Sequence, residues 1–484
     1  MTPAFLETAG AARAVSQGIT AAALGSQGFR ADYRLQYAYL AGAMYQGVAS
    51  REMVIALGRA GLMGYFGTGG LSLDEIEAGI HDIRGSLGAS GSYGMNLLCN
   101  PAHPHIEERT VRLLLQHDIR YIEAAAFTNI TPALALCRLK GVAVGPDGVV
   151  RSPRRILAKV SRPEVATAFL RPAADAIVRR LVEAGTLDAR EAELGRLLPM
   201  ADEICVEADS GGHTDGGIIV TLFPAMLALR DQIAATDDAA RRVRIGAAGG
   251  IGTPHAAAAA FAMGADFVLT GSINQCTVEA ATSDAVKDML QAMNVHDTAY
   301  APAGDMFEIG ARVQVLKKGL LFAARANRLH DLYTRHESLD EIDAATRQQI
   351  QERYFHRTFE DVWRETKAYY LRTNPRMAED AERHPKRKMA LVFKWYFVHT
   401  SRLARQGSRE QQVDYQVHCG PALGAFNQWV KGTFLEAAEN RSVVQVALNL
   451  LEGAATISRA QQLRAHGVPV PNESFQFVPR MLRA

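Results

Sequence analysis

The sequence predicts an α/β fold, a (β/α)8 TIM barrel followed by a mostly helical C-terminal domain, and three observations lead there. Between about residues 39 and 293, short β-like runs alternate with amphipathic helical stretches, the pattern of parallel βα units. Eight such units fit in that span, close to the roughly 250 residues that a barrel of this kind takes. A doubly wound open sheet shares the periodicity, and the number of units favours the barrel. Beyond Met293 the chain becomes charged, helix-period and poor in β-branched runs.

The units follow in order. A strand over 39–44 leads to a helix over 51–60, and 62–66 reads as the second strand. Ser72 then caps a helix with Glu75 three residues on, a capping box. A strand over 93–98 is followed by a helix ending near His117. A strand over 120–123 leads to 131–139, where Pro132 suits a first helical turn. Residues 156–160 form the fifth strand, with a helix from Pro163. Glu203–Glu207 precedes a helix over 222–233, 243–247 precedes 254–263, and 267–269 precedes 278–293. Two insertions stand out: a hairpin over 142–151 around Gly145-Pro146-Asp147-Gly148, and an extra helical stretch over 173–198. The expected domains are therefore an extension at 1–36, the barrel at 37–295 and the helical domain at 296–484. In the last of these, Asp305 is expected to cap a helix running through Val313-Gln314-Val315-Leu316.

Composition narrows the function. Charges are nearly balanced, 53 basic against 51 acidic, so nothing electrostatic points to nucleic acid. Five scattered cysteines form no Cys-x-x-Cys pair. Neither a disulfide framework nor a metal site is expected, and a reducing cytoplasm fits. No apolar run is long enough to cross a bilayer and no leader pattern opens the chain, so a membrane is not an expected partner.

Chemistry concentrates at the predicted strand ends. Ala247-Ala248-Gly249-Gly250-Ile251-Gly252, followed by Thr253-Pro254 at a helix start, exposes backbone N–H groups that favour a phosphate. The next unit ends in Thr270-Gly271-Ser272, a second small turn with hydroxyls. Glycines in tight βα turns need hold no ligand. Two adjacent turns after the seventh and eighth strands, however, are where many barrel enzymes bind phosphate. At the sixth strand end, Asp209-Ser210-Gly211-Gly212-His213 lets backbone approach a flat cofactor, with His213 able to donate a proton near neutral pH. Gly42-Ala43-Met44 and Asn96 end the first and third strands. Lys386-Arg387-Lys388 precedes an aromatic stretch; such a run is usually a solvated helix face, and docking of an acidic partner is the alternative. His418-Cys419-Gly420 shows no evident partner.

Taken together, Gly42-Ala43-Met44, residues 59–67, Gly211-Gly212-His213 and Ala248-Gly249-Gly250-Ile251 resemble the nitronate monooxygenase and flavin enoyl reductase superfamily. Within it, the string Glu207-Ala208-Asp209-Ser210-Gly211-Gly212-His213-Thr214-Asp215 resembles the PfaD branch. So do Thr131-Pro132-Ala133-Leu134, Arg138-Leu139-Lys140-Gly141, Phe307-Glu308-Ile309-Gly310, residues 313–317 and residues 414–427. That resemblance covers almost the whole chain. It implies a trans-acting enoyl reductase of polyketide or polyunsaturated fatty acid synthases, using FMN and NADPH on an enoyl acyl carrier protein. It also implies that Gly249, Gly250, Ile251, Thr270, Gly271 and Ser272 hold the FMN phosphate. Gly42, Ala43, Met44, Asn96, Lys159, Asp209, Gly211 and Gly212 would lie along the flavin, with His213 as the acid. Lys386, Arg387 and Lys388 are the carrier-docking candidates. Two other readings share these motifs: a nitronate monooxygenase-like FMN oxidase of a small molecule, and a non-catalytic synthase subunit. Barrels with helical appendages often dimerise, which leaves monomer and homodimer both open.

Overall fold

In a computed structural model, which describes residues 18–100 and 103–483, the chain forms two compact units. The first runs to Ala208, resumes over Gly217–Ala281 and takes in the chain from Gln428 onward. The second comprises Asp209–Gly216 and Thr282–Asn427.

The first unit is a closed barrel of eight parallel strands. These are β1 (Tyr39–Ala41), β2 (Met63–Phe66), β3 (Gly94–Leu98), β4 (Tyr121–Ala125), β5 (Arg155–Val160), β6 (Glu203–Glu207), β7 (Arg244–Ala248) and β8 (Val268–Thr270). Closure comes from β1 pairing with both β8 and β2, with Tyr39 opposite Val268 and Leu40 opposite Met63. Inward apolar residues fill the lumen as a packed core, among them Leu40, Met63, Tyr65, Leu157, Cys205 and Leu269. The Ser72–Glu75 capping box forms as expected. Thr131 caps Pro132–Leu139, and the hairpin pairs Ala143–Val144 with Val150–Arg151. The extra stretch over 173–198 supplies two helices, Asp175–Glu183 and Ala189–Gly195.

Two features of this unit differ from the sequence expectation. The N-terminal stretch, read as weakly patterned, contains a helix at Gln27–Tyr33 that packs beneath the strand starts. Phe29 stacks on Phe267 at 4.5 Å and Tyr33 on Tyr121 at 4.7 Å. The Tyr33 hydroxyl donates to Glu203 Oε2 at 2.6 Å, while Arg155 and Arg244 each reach Glu203 Oε1 at 2.8 Å. Because Arg155, Glu203 and Arg244 are the first residues of β5, β6 and β7, this ionic cluster floors the barrel. The rest of the extension, residues 1–17, lies outside the described residues.

The other difference is the C-terminal stretch, assigned by sequence to the helical domain at 296–484. The helix Val443–Ala465 packs instead against Pro254–Ala262 of the barrel. It is buried along nearly its whole length, so its apolar residues find their partner on the barrel wall. Elsewhere on the barrel Glu77, His81 and His117 cluster, with His117 Nε2 on Glu77 Oε1 at 2.8 Å, tying two barrel helices together.

The second unit joins a helical bundle to a small antiparallel sheet. Strand Arg312–Leu316 lies between Thr298–Pro302 and Gly212–His213. The helix expected through 313–316 is therefore a strand. Val313, Gln314, Val315 and Leu316 are all buried, and a Val-Gln-Val-Leu run is β-branched and short, which suits a buried strand better than a helical turn. Helices Phe322–Arg335, Phe359–Thr373 and Pro385–Gln406 enclose a core of Phe307, Phe322, Phe355, Trp363, Phe393 and Tyr396. Among the described residues no helix is long and apolar enough to cross a membrane.

Candidate active site

The turns after β7 and β8 sit side by side at the C-terminal end of the barrel, where loops carry chemistry in this fold. Gly249 has φ +83°, and a Cβ there would stand 2.5 Å from the Ala208 carbonyl oxygen, so only glycine fits. Next to it, Gly250 has φ +73° and a built Cβ meets nothing within 4 Å; Gly271 borders open space in the same way. Residues 249–253 lie between β7 and the helix Pro254–Ala262, whose N-cap is Thr253. The backbone at Gly250 thus borders free space at a helix start, the donor arrangement that an oxyanion or phosphate needs. Ser272 opens a short 3-10 turn, Ser272–Cys276. Thr270 is different: its buried hydroxyl is taken up by Tyr39 at 2.6 Å and Asn274 at 3.0 Å, so it shapes the turn from below.

Four further predicted residues converge inside the barrel. The Gly42 N–H donates to the Thr270 carbonyl, joining the first and last strand ends. The Ala43 N–H donates to Glu123 Oε2 at 3.0 Å. Asn96 Nδ2 donates to the Glu123 carbonyl at 3.2 Å. Lys159, near the end of β5, places Nζ 3.0 Å from Glu207 Oε1 and 3.8 Å from Glu123 Oε1. Burial alone would favour neutral lysine, but Glu207 and Glu123 outweigh it and hold the ammonium charged. Glu123 is fully buried. Burial pushes its carboxyl up to about 7, reinforced by Glu207 and opposed by Lys159 and the Ala43 N–H.

Sequence reasoning missed Glu123 and gave Glu207 no role. The available signal was a glutamate inside a strand otherwise made of Tyr, Ile and Ala (Tyr121–Ala125), a costly residue to bury unless it has partners.

The sixth-strand loop belongs to the second unit. There His213 Nε2 lies 2.9 Å from Asp305 Oδ1. Burial works to raise the Asp305 carboxyl, yet the hydrogen bond and charge of His213 hold it below its usual range. Asp305, expected to cap a helix, is thus the partner of His213. His418 completes the group: burial and the nearby His213 charge push its imidazole down to about 4, and it pairs with Gln416 Nε2 at 2.7 Å. Asp209 accepts from Thr214 Oγ1 at 2.8 Å, Tyr300 OH at 2.6 Å and Gln314 Nε2 at 3.3 Å. For Gly211 the close neighbour is backbone, since a Cβ would stand 2.6 Å from Cys419 Cα. The 418–420 segment, which seemed partnerless in sequence, is therefore what the Gly-Gly-His loop packs on.

The basic run sits in the first turn of Pro385–Gln406, and each member has an internal contact. Lys386 Nζ donates to the Tyr333 and His336 carbonyls, Arg387 pairs with Asp380, and Lys388 lies over the Trp363 ring at 5.2 Å.

Residues 336–415 match the model of the inserted helical domain of [acyl-carrier-protein] S-malonyltransferase. Over 445 residues and 92% of its length the chain is 55% identical to the polyketide biosynthesis protein PksE of Bacillus subtilis, spanning 58% of that protein. It is 40% identical to one component of a Thraustochytrium polyunsaturated fatty acid synthase, over 93% of this chain and 30% of that one. The crystal structure of the enoyl reductase domain of MlnA, from the macrolactin cluster of Bacillus amyloliquefaciens, superposes with a TM-score of 0.87. Its identity to this chain is 46%, covering 92% of this chain and all of that one. The chain belongs to the PfaD-type enoyl reductase family of polyketide and polyunsaturated fatty acid synthases. The chain spans little more than half the length of PksE and under a third of the fatty acid synthase component.

Proposed function

We propose that this chain is an FMN-dependent enoyl reductase. It reduces the 2,3 double bond of an enoyl thioester on an acyl carrier protein, with NADPH as reductant, in trans to a polyketide or polyunsaturated fatty acid synthase. The observation that carries the reading is the pair of adjacent open turns at the ends of β7 and β8, with glycine required at 249 and open space beside Gly250 and Gly271. FMN supplies a two-electron hydride carrier when bound.

Gly249, Gly250, Ile251, Gly271 and Ser272 hold its phosphate through backbone and hydroxyl donors. Gly42, Ala43, Met44, Asn96 and Lys159 flank its ring system, and Lys159 brings a permanent positive charge. Asp209, Gly211 and Gly212 shape the loop that carries His213. His213 donates the proton that completes the reduction, with Asp305 stabilising its charged form. Likeness of residues 336–415 to the helical insert of an acyl-carrier-protein transferase supports the carrier as partner. All five cysteines are buried and none is in a disulfide, which suits a reducing cytoplasm.

The test is anaerobic. Purified protein should be yellow, bleach with NADPH, and recolour on addition of crotonyl carrier protein with formation of the butyryl product. Colourless protein would remove the flavin, and bleaching without recolouring would remove the enoyl substrate.

A further inference from the structure

We propose that Glu123 is a proton-holding positioning residue whose charge, acting through Lys159 and the Ala43 amide, sets the reduction potential of the flavin and couples it to pH. This rests on the flavin reading above.

Glu123 stands under the strand ends assigned to the ring. One carboxylate oxygen accepts the Ala43 N–H, which fixes the 42–44 turn. Its other oxygen, Oε1, is buried with no hydrogen-bond partner and faces Lys159 Nζ at 3.8 Å. Lys159 is already matched by Glu207 at 3.0 Å. Two carboxylates thus share one ammonium in a buried space, and a third full charge there is costly. Oε1, which makes no hydrogen bond, is the place for a proton. The remaining titratable neighbours, Cys205 on β6 and Tyr65 on β2, are both pushed up by burial and stay neutral. Glu123 is therefore the member of the group that changes charge near neutrality.

The consequence has a fixed sign. With Glu123 neutral, Lys159 and Glu207 cancel; with Glu123 ionised, the group carries one net negative charge. Two electrons entering the flavin from the nicotinamide donor then meet an opposing field, unless one proton moves from solvent onto Glu123. On reoxidation by the enoyl substrate that proton returns to solvent. Burial of the carboxylate with a lysine and a second acid is the arrangement that makes such a proton site.

Reduction potentials of the holoprotein, read by spectroelectrochemistry across neutral pH, test this. In the wild type the potential should fall more steeply with pH above about 7 than below it. Glu123→Gln should keep the low-pH behaviour and lose the break. Glu207→Gln, which removes the charge that adds to the effect of burial on Glu123, should keep the break and move it to lower pH. Identical pH dependence in wild type and Glu123→Gln, each with flavin bound, overturns the proposal. Protein that holds no flavin overturns both the functional reading and the tuning of a potential. Carbon-13 titration of the glutamate carboxyls separates the two failures, because a Glu123 that ionises in the ordinary glutamate range removes the proton site with or without flavin.

Discussion

His213 and Glu123 are both ionisable, but their surroundings prepare them for different work. His213 is half-exposed on a short strand and shares a hydrogen bond with Asp305. An exposed imidazole with a carboxylate partner can exchange its proton with substrate and solvent. Replacing His213 by Ala should lower turnover of a crotonyl thioester by roughly a hundredfold to ten-thousandfold, the range of general acid catalysis, while the flavin spectrum is retained. Normal turnover in that variant would end its role as the acid. Asp305→Asn keeps the ring and should cost less, roughly tenfold, mostly in kcat. Glu123 is sealed in the barrel, and its raised carboxyl has a stability consequence. A glutamate ionises at about 4.3 in an unfolded chain and at about 7 here. The folded state therefore binds the extra proton, and its contribution is complete below the unfolded value and lost as pH rises through the folded one. Glu123→Gln should gain stability over the wild type at pH above 7, by at most about 4 kcal/mol, and gain little in mild acid. Urea unfolding at two pH values measures this; an equal difference at both would refute it.

At the scale of elements, the features legible in the sequence were those written within a few consecutive residues. The capping box at Ser72, the proline start at Pro132, the hairpin around Gly145 and the two glycine turns depend on local chemistry. The turn at 249 also yields a sharp expectation. Gly249→Ala places a methyl against the Ala208 carbonyl at a positive φ, which should cost about 1–3 kcal/mol and loosen flavin at least tenfold. Fluorescence titration with free FMN reads the affinity, and unchanged binding would remove the turn from the phosphate site. The Glu123–Lys159–Glu207 group was not legible, because it depends on the relative register of β4, β5 and β6 across a closed barrel. The strand at Arg312–Leu316 was missed because a run as short as Val313-Gln314-Val315-Leu316 fits either period, and only its partners at Thr298–Pro302 and Gly212–His213 decide. The basic run read as a surface feature, but Lys386 clamps two carbonyls at the end of Phe322–Arg335. Reversal at Lys386 would therefore disturb folding, and exposed Arg387 is the informative site. Arg387→Glu should raise KM for a carrier-bound enoyl chain but not for a short thioester, and equal effects on both would exclude docking there.

At the scale of the molecule, the chain order and the folding units do not coincide. The barrel unit ends with the chain from Gln428 onward, and the second unit recruits Asp209–Gly216 from the sixth strand loop. Sequence pattern could place a boundary near residue 295, where strand-and-helix alternation stops. It could not show that the later helix Val443–Ala465 belongs with Pro254–Ala262, since that pairing joins segments nearly 200 residues apart. The contact is close: a Cβ at Gly453 would stand 2.5 Å from Pro254 Cγ. Gly453→Val should therefore overpack this seam and cost about 1–3 kcal/mol. A larger test compares two truncations. A chain stopped at residue 295 leaves the barrel wall uncovered along the Pro254–Ala262 helix, and should aggregate or fail to retain flavin. A chain in which a flexible Gly/Ser linker replaces residues 282–427 keeps that helix pair and should give soluble protein that still binds FMN but does not reduce a carrier-bound enoyl chain. If instead the chain stopped at 295 proves soluble, yellow and as heat-stable as the linker variant, the Val443–Ala465 helix is dispensable to the barrel and the two compact units are not its folding units.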